Sequence, residues 1–305
     1  MERMKKVFKN SLWIYWISVL LVLNPNSNAF ASDSWFINAQ IATTKIRSNS
    51  IILIDAREKE LYDQGHLPSA LSLTWQELSE TKSPSKGNLK SKSDLEKILQ
   101  NLGISNQSEV LVYGNPLSGW GEEARIVWTL RSLGHSNAFI IDGGVQSLRE
   151  QGLSFTKQNS IIPPKGNFKS LASVSFTKNL QDVKSSLNDG KTIFIDSREK
   201  KEFLGFSPYG ESRGGRLPGA KHIYFKEFID PKGNIPSKNQ VKELLSKSGI
   251  SESSTIITYC TGGVRSAWIT AVLLSYGYNA YNYPGSMWEW SSQSDKDYPL
   301  IKGFD

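Results

Sequence analysis

The sequence predicts an α/β fold built as two tandem domains of one kind, each a mostly parallel sheet flanked by helices. Three observations predict it. The chain has 305 residues, a length that suits about two domains, either large enough to bury its own core. One pattern of residues occurs twice. Short β-branched runs alternate with helical stretches, as in a parallel sheet covered on both faces.

The repeat is legible residue by residue. Residues 51–70 read IILIDAREKELYDQGHLPSA, and residues 192–220 read TIFIDSREKKEFLGFSPYGESRGGRLPGA. Both open on an apolar strand that ends in Asp-x-Arg-Glu-Lys, and both close on Gly-(His/Arg)-Leu-Pro-x-Ala. The second copy holds an extra loop between these ends. Further on, residues 109–113 (EVLVY) and 255–259 (TIITY) read as strands, each followed by a Gly-containing turn and a helix. The helices are expected over 122–133 and 265–276, each closed by a glycine, Gly134 or Gly277, a C-terminal stop signal. Another strand and a glycine corner follow: Asp142-Gly143-Gly144 in the first copy, Tyr283-Pro284-Gly285-Ser286 in the second.

The expected organisation is a signal peptide over 1–31, a first domain over 32–157, a linker over 158–172 and a second domain over 173–305. The linker holds Pro163-Pro164, Gly166 and Ser170. The N-terminus opens with the basic residues Arg3, Lys5, Lys6 and Lys9. An apolar run over 11–23 and the small residues of Ala29-Phe30-Ala31 come next. This order predicts export and cleavage before Ser32. The apolar run is shorter than the about 20 residues a spanning helix needs, so no stable membrane insertion is expected once the signal is removed. The expected location is the periplasm or another extracytoplasmic compartment.

Composition bounds the function. Hydrophobic residues make up 38% and charged residues 21%, a globular balance. The net charge is +7, and Glu2 with the four basic residues above supplies +3 of it. The remaining excess is small and scattered, which argues against nucleic acid and reads as a solvated, lysine-rich surface. His66, His135 and His222 are the only histidines and lack metal-ligand spacing, and with one cysteine no thiolate zinc site is available, so no metal and no cofactor are expected. No base for a protease-type nucleophile is indicated.

That one cysteine, Cys260, carries the functional reading. It cannot form an intramolecular disulfide, so the fold holds by its core. The segment is Tyr259-Cys260-Thr261-Gly262-Gly263-Val264-Arg265-Ser266-Ala267. A strand ends, the thiol follows at once, two glycines curl the chain and a helix starts. Backbone N–H groups turned inward make an anion nest at a helix N-terminus. A thiol there, with the Arg265 guanidinium nearby, should ionise well below about 8.5. Thr261, Gly262, Gly263, Val264 and Arg265 are the expected substrate-binding residues. A plain buried cysteine on a strand end is the bland alternative.

These motifs resemble the two-domain form of the rhodanese (thiosulfate sulfurtransferase) family. The residues that carry the resemblance are Asp55-x-Arg57 and Asp196-x-Arg198, Gly65-His66-Leu67-Pro68 and Gly215-Arg216-Leu217-Pro218-Gly219-Ala220, the Cys260 loop, and Tyr283-x-Gly285-Ser286-x-Trp288-Glu289-Trp290. The resemblance spans nearly all of the chain after the signal peptide. It implies a sulfurtransferase working through a Cys260 persulfide, with a small anionic sulfur donor of the thiosulfate kind and a thiol or cyanide as acceptor. It also implies that Asp196 and Arg198 brace the active loop, and that the first domain has lost its cysteine. Gly114 stands at that place, in Gly114-Asn115-Pro116-Leu117-Ser118-Gly119, so the first domain is expected to be a scaffold.

Four residues separate Cys260 from Arg265, one fewer than in related phosphatases, a cradle that suits a single sulfur rather than phosphate. Two departures matter. Thr261-Gly262 follow the cysteine where thiosulfate enzymes of the family usually carry Arg-Lys. Glu202 stands where those enzymes carry a substrate-binding arginine, and a carboxylate there is expected to repel thiosulfate, with Arg213 or Arg216 as possible substitutes. A non-catalytic sulfur- or anion-binding partner module is the alternative function. Trp288 and Trp290 are candidates to line the substrate mouth, and core or domain-interface packing is expected for at least one of them.

Overall fold

The computed structural model describes residues 34–171 and 176–303. The signal peptide expected over 1–31 lies outside these residues, as does the end of the expected linker. The first domain runs β1 (Phe36–Ile37), α1 (Ala39–Ser48), β2 (Ile52–Asp55), α2 (Lys59–Gln64), β3 (Leu71–Ser72), α3 (Lys92–Asn101), β4 (Val110–Tyr113), α4 (Glu122–Ser132), β5 (Ala138–Ile141) and α5 (Gly144–Glu150). The second runs α6 (Leu180–Ser186), β6 (Thr192–Asp196), α7 (Lys200–Leu204), β7 (Lys221–His222), α8 (Lys238–Lys247), β8 (Thr255–Tyr259), α9 (Val264–Ser275), β9 (Asn279–Asn282) and α10 (Ser286–Ser291).

The sheet orders are β1-β5-β4-β2-β3 and β7-β6-β8-β9, and the strand pairings within them are parallel. A parallel sheet is buried on both faces and needs continuous apolar strands. Val110–Tyr113 supplies one, with every residue buried. The central strands β4 and β8 each feed a glycine-capped helix: Gly121 before α4 and Gly263 before α9 are both left-handed, with φ 85° and 78°. The second helix starts one residue earlier than the sequence suggests, at Val264, because Gly263 rather than Val264 takes the cap conformation.

α9 is buried from Val264 to Leu273. A helix apolar all round must be covered all round, and here its own sheet covers one side and α4 of the first domain another. A single apolar core therefore crosses the domain boundary, with Ile54, Trp128, Trp268, Ile269 and Val272 in one cluster. Trp268 stacks edge-on against Phe36 and donates its indole N–H to Phe228 O at 3.1 Å. The two domains thus hold fixed positions relative to each other, which is what allows the first to wall the site of the second.

Candidate active site

Cys260 follows β8 directly, beyond the C-terminal edge of the sheet, where ligands bind in open α/β folds. The strand end is held from beneath. Arg198 and Asp196 form a buried bidentate ion pair, with Nε donating to Oδ1 at 2.9 Å and Nη2 to Oδ2 at 2.6 Å, and Arg198 Nη2 also donates to Gly215 O at 2.7 Å. Burial opposes the Asp196 carboxylate, but Arg198 more than offsets it and holds the acid below its usual range. Ser197 donates its N–H and its hydroxyl to Tyr259 O, at 3.0 and 2.8 Å. The first domain repeats the motif, with Arg57 on Asp55 and Tyr113 Oη donating to Asp55 at 2.8 Å. The pair occurs with and without a thiol above it, and in the second domain it ties the end of β6 to Gly215 O.

The loop is fixed by the start of α10. Cys260 N–H donates to Ser286 Oγ at 3.1 Å, Met287 N–H to Cys260 O at 3.1 Å and Trp288 N–H to Thr261 O at 2.9 Å. A side chain on Gly262 would collide with the Trp288 ring, so glycine is required there for close approach. The thiol is 2% exposed. Gly263 N–H points at Sγ at 3.1 Å, and Ser266 Oγ lies 3.7 Å from it. Burial disfavours the thiolate; the Arg265 charge and the donors of Ser266 and Gly262 outweigh it and bring the thiol below its ordinary value. A lowered pKa favours the thiolate, the nucleophilic form of a cysteine.

Arg265 is not aimed freely into the site. Its Nη1 and Nη2 meet Glu202 Oε2 and Oε1 at 2.7 and 2.8 Å, and Nη2 also donates to Thr261 Oγ1 at 2.6 Å. Both partners are buried, at 2% and 0% side-chain exposure. This corrects the expectation for Glu202: its carboxylate is matched by Arg265 and does not stand in the site as an unpaired repelling charge. The suggested substitutes are committed elsewhere. Arg213 Nε donates to Ser291 O at 3.1 Å and its Nη1 pairs with Asp295, while Arg216 Nη1 donates to Gly303 O at 2.8 Å.

A cavity of about 190 Å³ opens over the sulfur. Cys260, Thr261, Gly262, Val264 and Arg265 line it, whereas Gly263, also expected to bind substrate, is not in the lining and directs its N–H at the sulfur. The opposite wall comes from the first domain, which supplies Glu58, Trp75, Gln76, Trp120 and Glu122. The scaffold expectation is therefore too narrow. Trp75 stacks on Trp288 at 6.2 Å, and Trp120 meets Tyr209 edge-on at 5.0 Å. Trp288 lines the mouth while Trp290 is fully buried, so the two tryptophans divide the roles expected of them. At the place matching Cys260, a side chain on Gly114 would collide with the buried Glu123 carboxyl. His66 is tied to backbone carbonyls through both ring nitrogens, and His222 through Nε2. Among the described residues no cluster of three or more His, Cys, Asp or Glu could hold a metal ion.

Known proteins resemble this chain in sequence and in fold. Residues 38–151 and 179–293 match the family described as Rhodanese-like domain. The chain is 29% identical over 256 residues to the sulfur carrier protein TtuD of Thermus thermophilus, covering 80% of this chain and 87% of that one. It is 26% identical over 246 residues to thiosulfate sulfurtransferase of Rattus norvegicus, covering 79% and 82%. The solved wild-type structure of EanB superposes with a TM-score of 0.76 at 20% identity, over 89% of this chain and 70% of that one, a likeness of fold. Relatives named for sulfur handling support sulfur transfer as the general chemistry. The two matched segments make this chain a member of the rhodanese family, with two rhodanese-like domains in tandem.

Proposed function

We propose that the chain moves a sulfane sulfur from a small anionic donor, such as thiosulfate, to a thiol or cyanide through a persulfide on Cys260. The observation that carries this reading is the sulfur itself: a buried thiol of lowered pKa, with an N–H donor 3.1 Å away, facing a small cavity. The thiolate attacks the outer sulfur of thiosulfate. A bond forms between the two sulfurs, the donor's S–S bond breaks, and its electron pair leaves with sulfite. The acceptor then attacks the terminal sulfur, cyanide leaves as thiocyanate, and the thiolate returns. Loop N–H groups would stabilise the anions, and no separate base is needed once the thiol is ionised. Steady-state sulfite release from thiosulfate with cyanide as acceptor tests the reading.

A carrier or binding role without turnover has one observation in its favour: Glu202 holds the Arg265 guanidinium that would otherwise greet an anionic donor. Under that reading Cys260 takes up one sulfur, but sulfite is not released repeatedly.

Export belongs to the same proposal. Among the described residues no helix is long and apolar enough to cross a membrane, and the N-terminal residues carry the signal pattern. Material recovered from outside the cytoplasm is expected to begin at or near Ser32. An N-terminal sequence that retains residues 11–23 would establish an anchor instead.

A further inference from the structure

Arg125, on α4 of the first domain, is fully buried and lies against the active loop of the second. Its Nη1 donates to Gly263 O at 3.2 Å, and its Nη2 donates to Gly87 O at 2.6 Å and Ser79 Oγ at 3.0 Å. Nε has no partner. None of these acceptors carries a charge, and among the described residues no carboxylate pairs with this guanidinium. Three other buried arginines each grip an acid: Arg57 holds Asp55, Arg198 holds Asp196 and Arg265 holds Glu202. An unmatched buried charge is costly, so a fold that keeps one is expected to offer it a counter-charge. Stacking over the Trp128 ring, 4.8 Å from its centre, supplies part of the compensation.

The anion at hand is the sulfur of Cys260. Gly263 links the two, since its carbonyl receives Arg125 and its N–H points at Sγ at 3.1 Å. A side chain on Gly263 would run into Arg125 Nη1, so the absence of one leaves room for the guanidinium. Burial pulls the Arg125 pKa down to about 10, and the Cys260 thiolate is the charge that opposes the fall.

We infer that Arg125 is the cross-domain counter-ion of the sulfur anion on Cys260, and that it holds Gly263 with its N–H directed at that sulfur. The inference rests on the reading of Cys260 as a thiolate and persulfide carrier. Arg125 is a positioning residue, and through it the first domain helps set the charge state of a thiol it does not contain. The other charges around the sulfur are disposed differently. Arg265 is matched by Glu202, with Glu211 on the far side of Thr261. Glu58 and Glu122 stand on the opposite cavity wall. Glu289 receives Asn88, and Lys86 sits over the Trp288 ring.

The test is the rate of Cys260 alkylation by iodoacetamide as a function of pH, in the full chain, for the parent, Arg125→Gln and Arg125→Lys. Loss of an adjacent opposite charge should raise the midpoint by about one unit. Alkylation below the parent midpoint then slows about tenfold in Arg125→Gln, and Arg125→Lys recovers part of the loss. A folded Arg125→Gln with an unchanged midpoint would make Arg125 a structural clamp and overturn the inference. If that variant does not fold, the parent decides. Carboxymethyl and carbamidomethyl caps on Cys260 are similar in bulk, one anionic and one neutral, and the anionic form should unfold at the higher temperature. Equal unfolding temperatures would overturn the counter-ion. Neither readout uses turnover, so a chain that proved unable to transfer sulfur would leave this result standing.

Discussion

Cys260→Ser is expected to lose sulfur transfer by more than about three orders of magnitude while remaining folded. A serine hydroxyl is un-ionised at neutral pH and is a far weaker nucleophile than a thiolate, and a persulfide cannot form on oxygen. The substitution is close to isosteric in a site whose surrounding bonds come from Ser286, Met287 and Trp288 to the Cys260 and Thr261 backbone. Cooperative thermal unfolding and a native circular dichroism spectrum would show the fold intact, and sulfite release would report activity. The thiol is held below its ordinary pKa. Its contribution to stability is therefore present above the unfolded value, about 8.5, and is lost as pH falls through the folded value. The parent should exceed Cys260→Ser in stability at alkaline pH, with the difference shrinking on acidification. Full activity in the serine variant would remove Cys260 from the mechanism.

Arg265→Ala is expected to act twice. It removes the cation that most favours the thiolate, so the alkylation midpoint should rise. A charge-assisted contact is worth about 1.5–3 kcal/mol, which corresponds to a slowing of transfer by roughly one to two orders of magnitude. It also strands Glu202, a carboxylate of 0% exposure whose guanidinium partner is gone. Breaking a buried pair from one side costs about 3–5 kcal/mol, so the unfolding temperature should fall clearly. Arg265→Ala combined with Glu202→Gln should recover part of the stability but not the midpoint, which separates the two effects. Ser118→Ala, on an exposed turn of the first domain, should leave midpoint and transfer rate unchanged. An unaltered midpoint in Arg265→Ala would mean that loop donors and other cations ionise the thiol without it.

The parts of the site that are local in sequence were legible there. The Asp-x-Arg pairs and the glycine turn after Cys260 are short segments with bonds that close within a few residues, Arg198 on Asp196 and Gly263 N–H on Sγ, while their ties to Gly215, Tyr259 and Ser286 are long-range. The repeat supplied the fold because the same local signals occur in the same order twice. What escaped was non-local. Glu202 read as an obstacle because its partner lies 63 positions away. Arg125 carries no signal in the sequence, since only the packing of α4 on α9 brings it to Gly263, 138 positions distant. The aromatic wall of Trp75 and Trp120 depends on the same packing. Trp288 and Trp290 could be divided only in part, because two residues apart on a short helix point in different directions and the sequence does not say which faces the cavity.

The persulfide itself is the central claim, and intact mass measures it. After exposure to thiosulfate and removal of excess donor, the chain should gain the mass of one sulfur atom, located on Cys260 by peptide mapping. Cyanide should then return the mass to its starting value and release thiocyanate. Sulfite release and thiocyanate formation that proceed with no added sulfur on Cys260, or with the sulfur elsewhere, would contradict the mechanism.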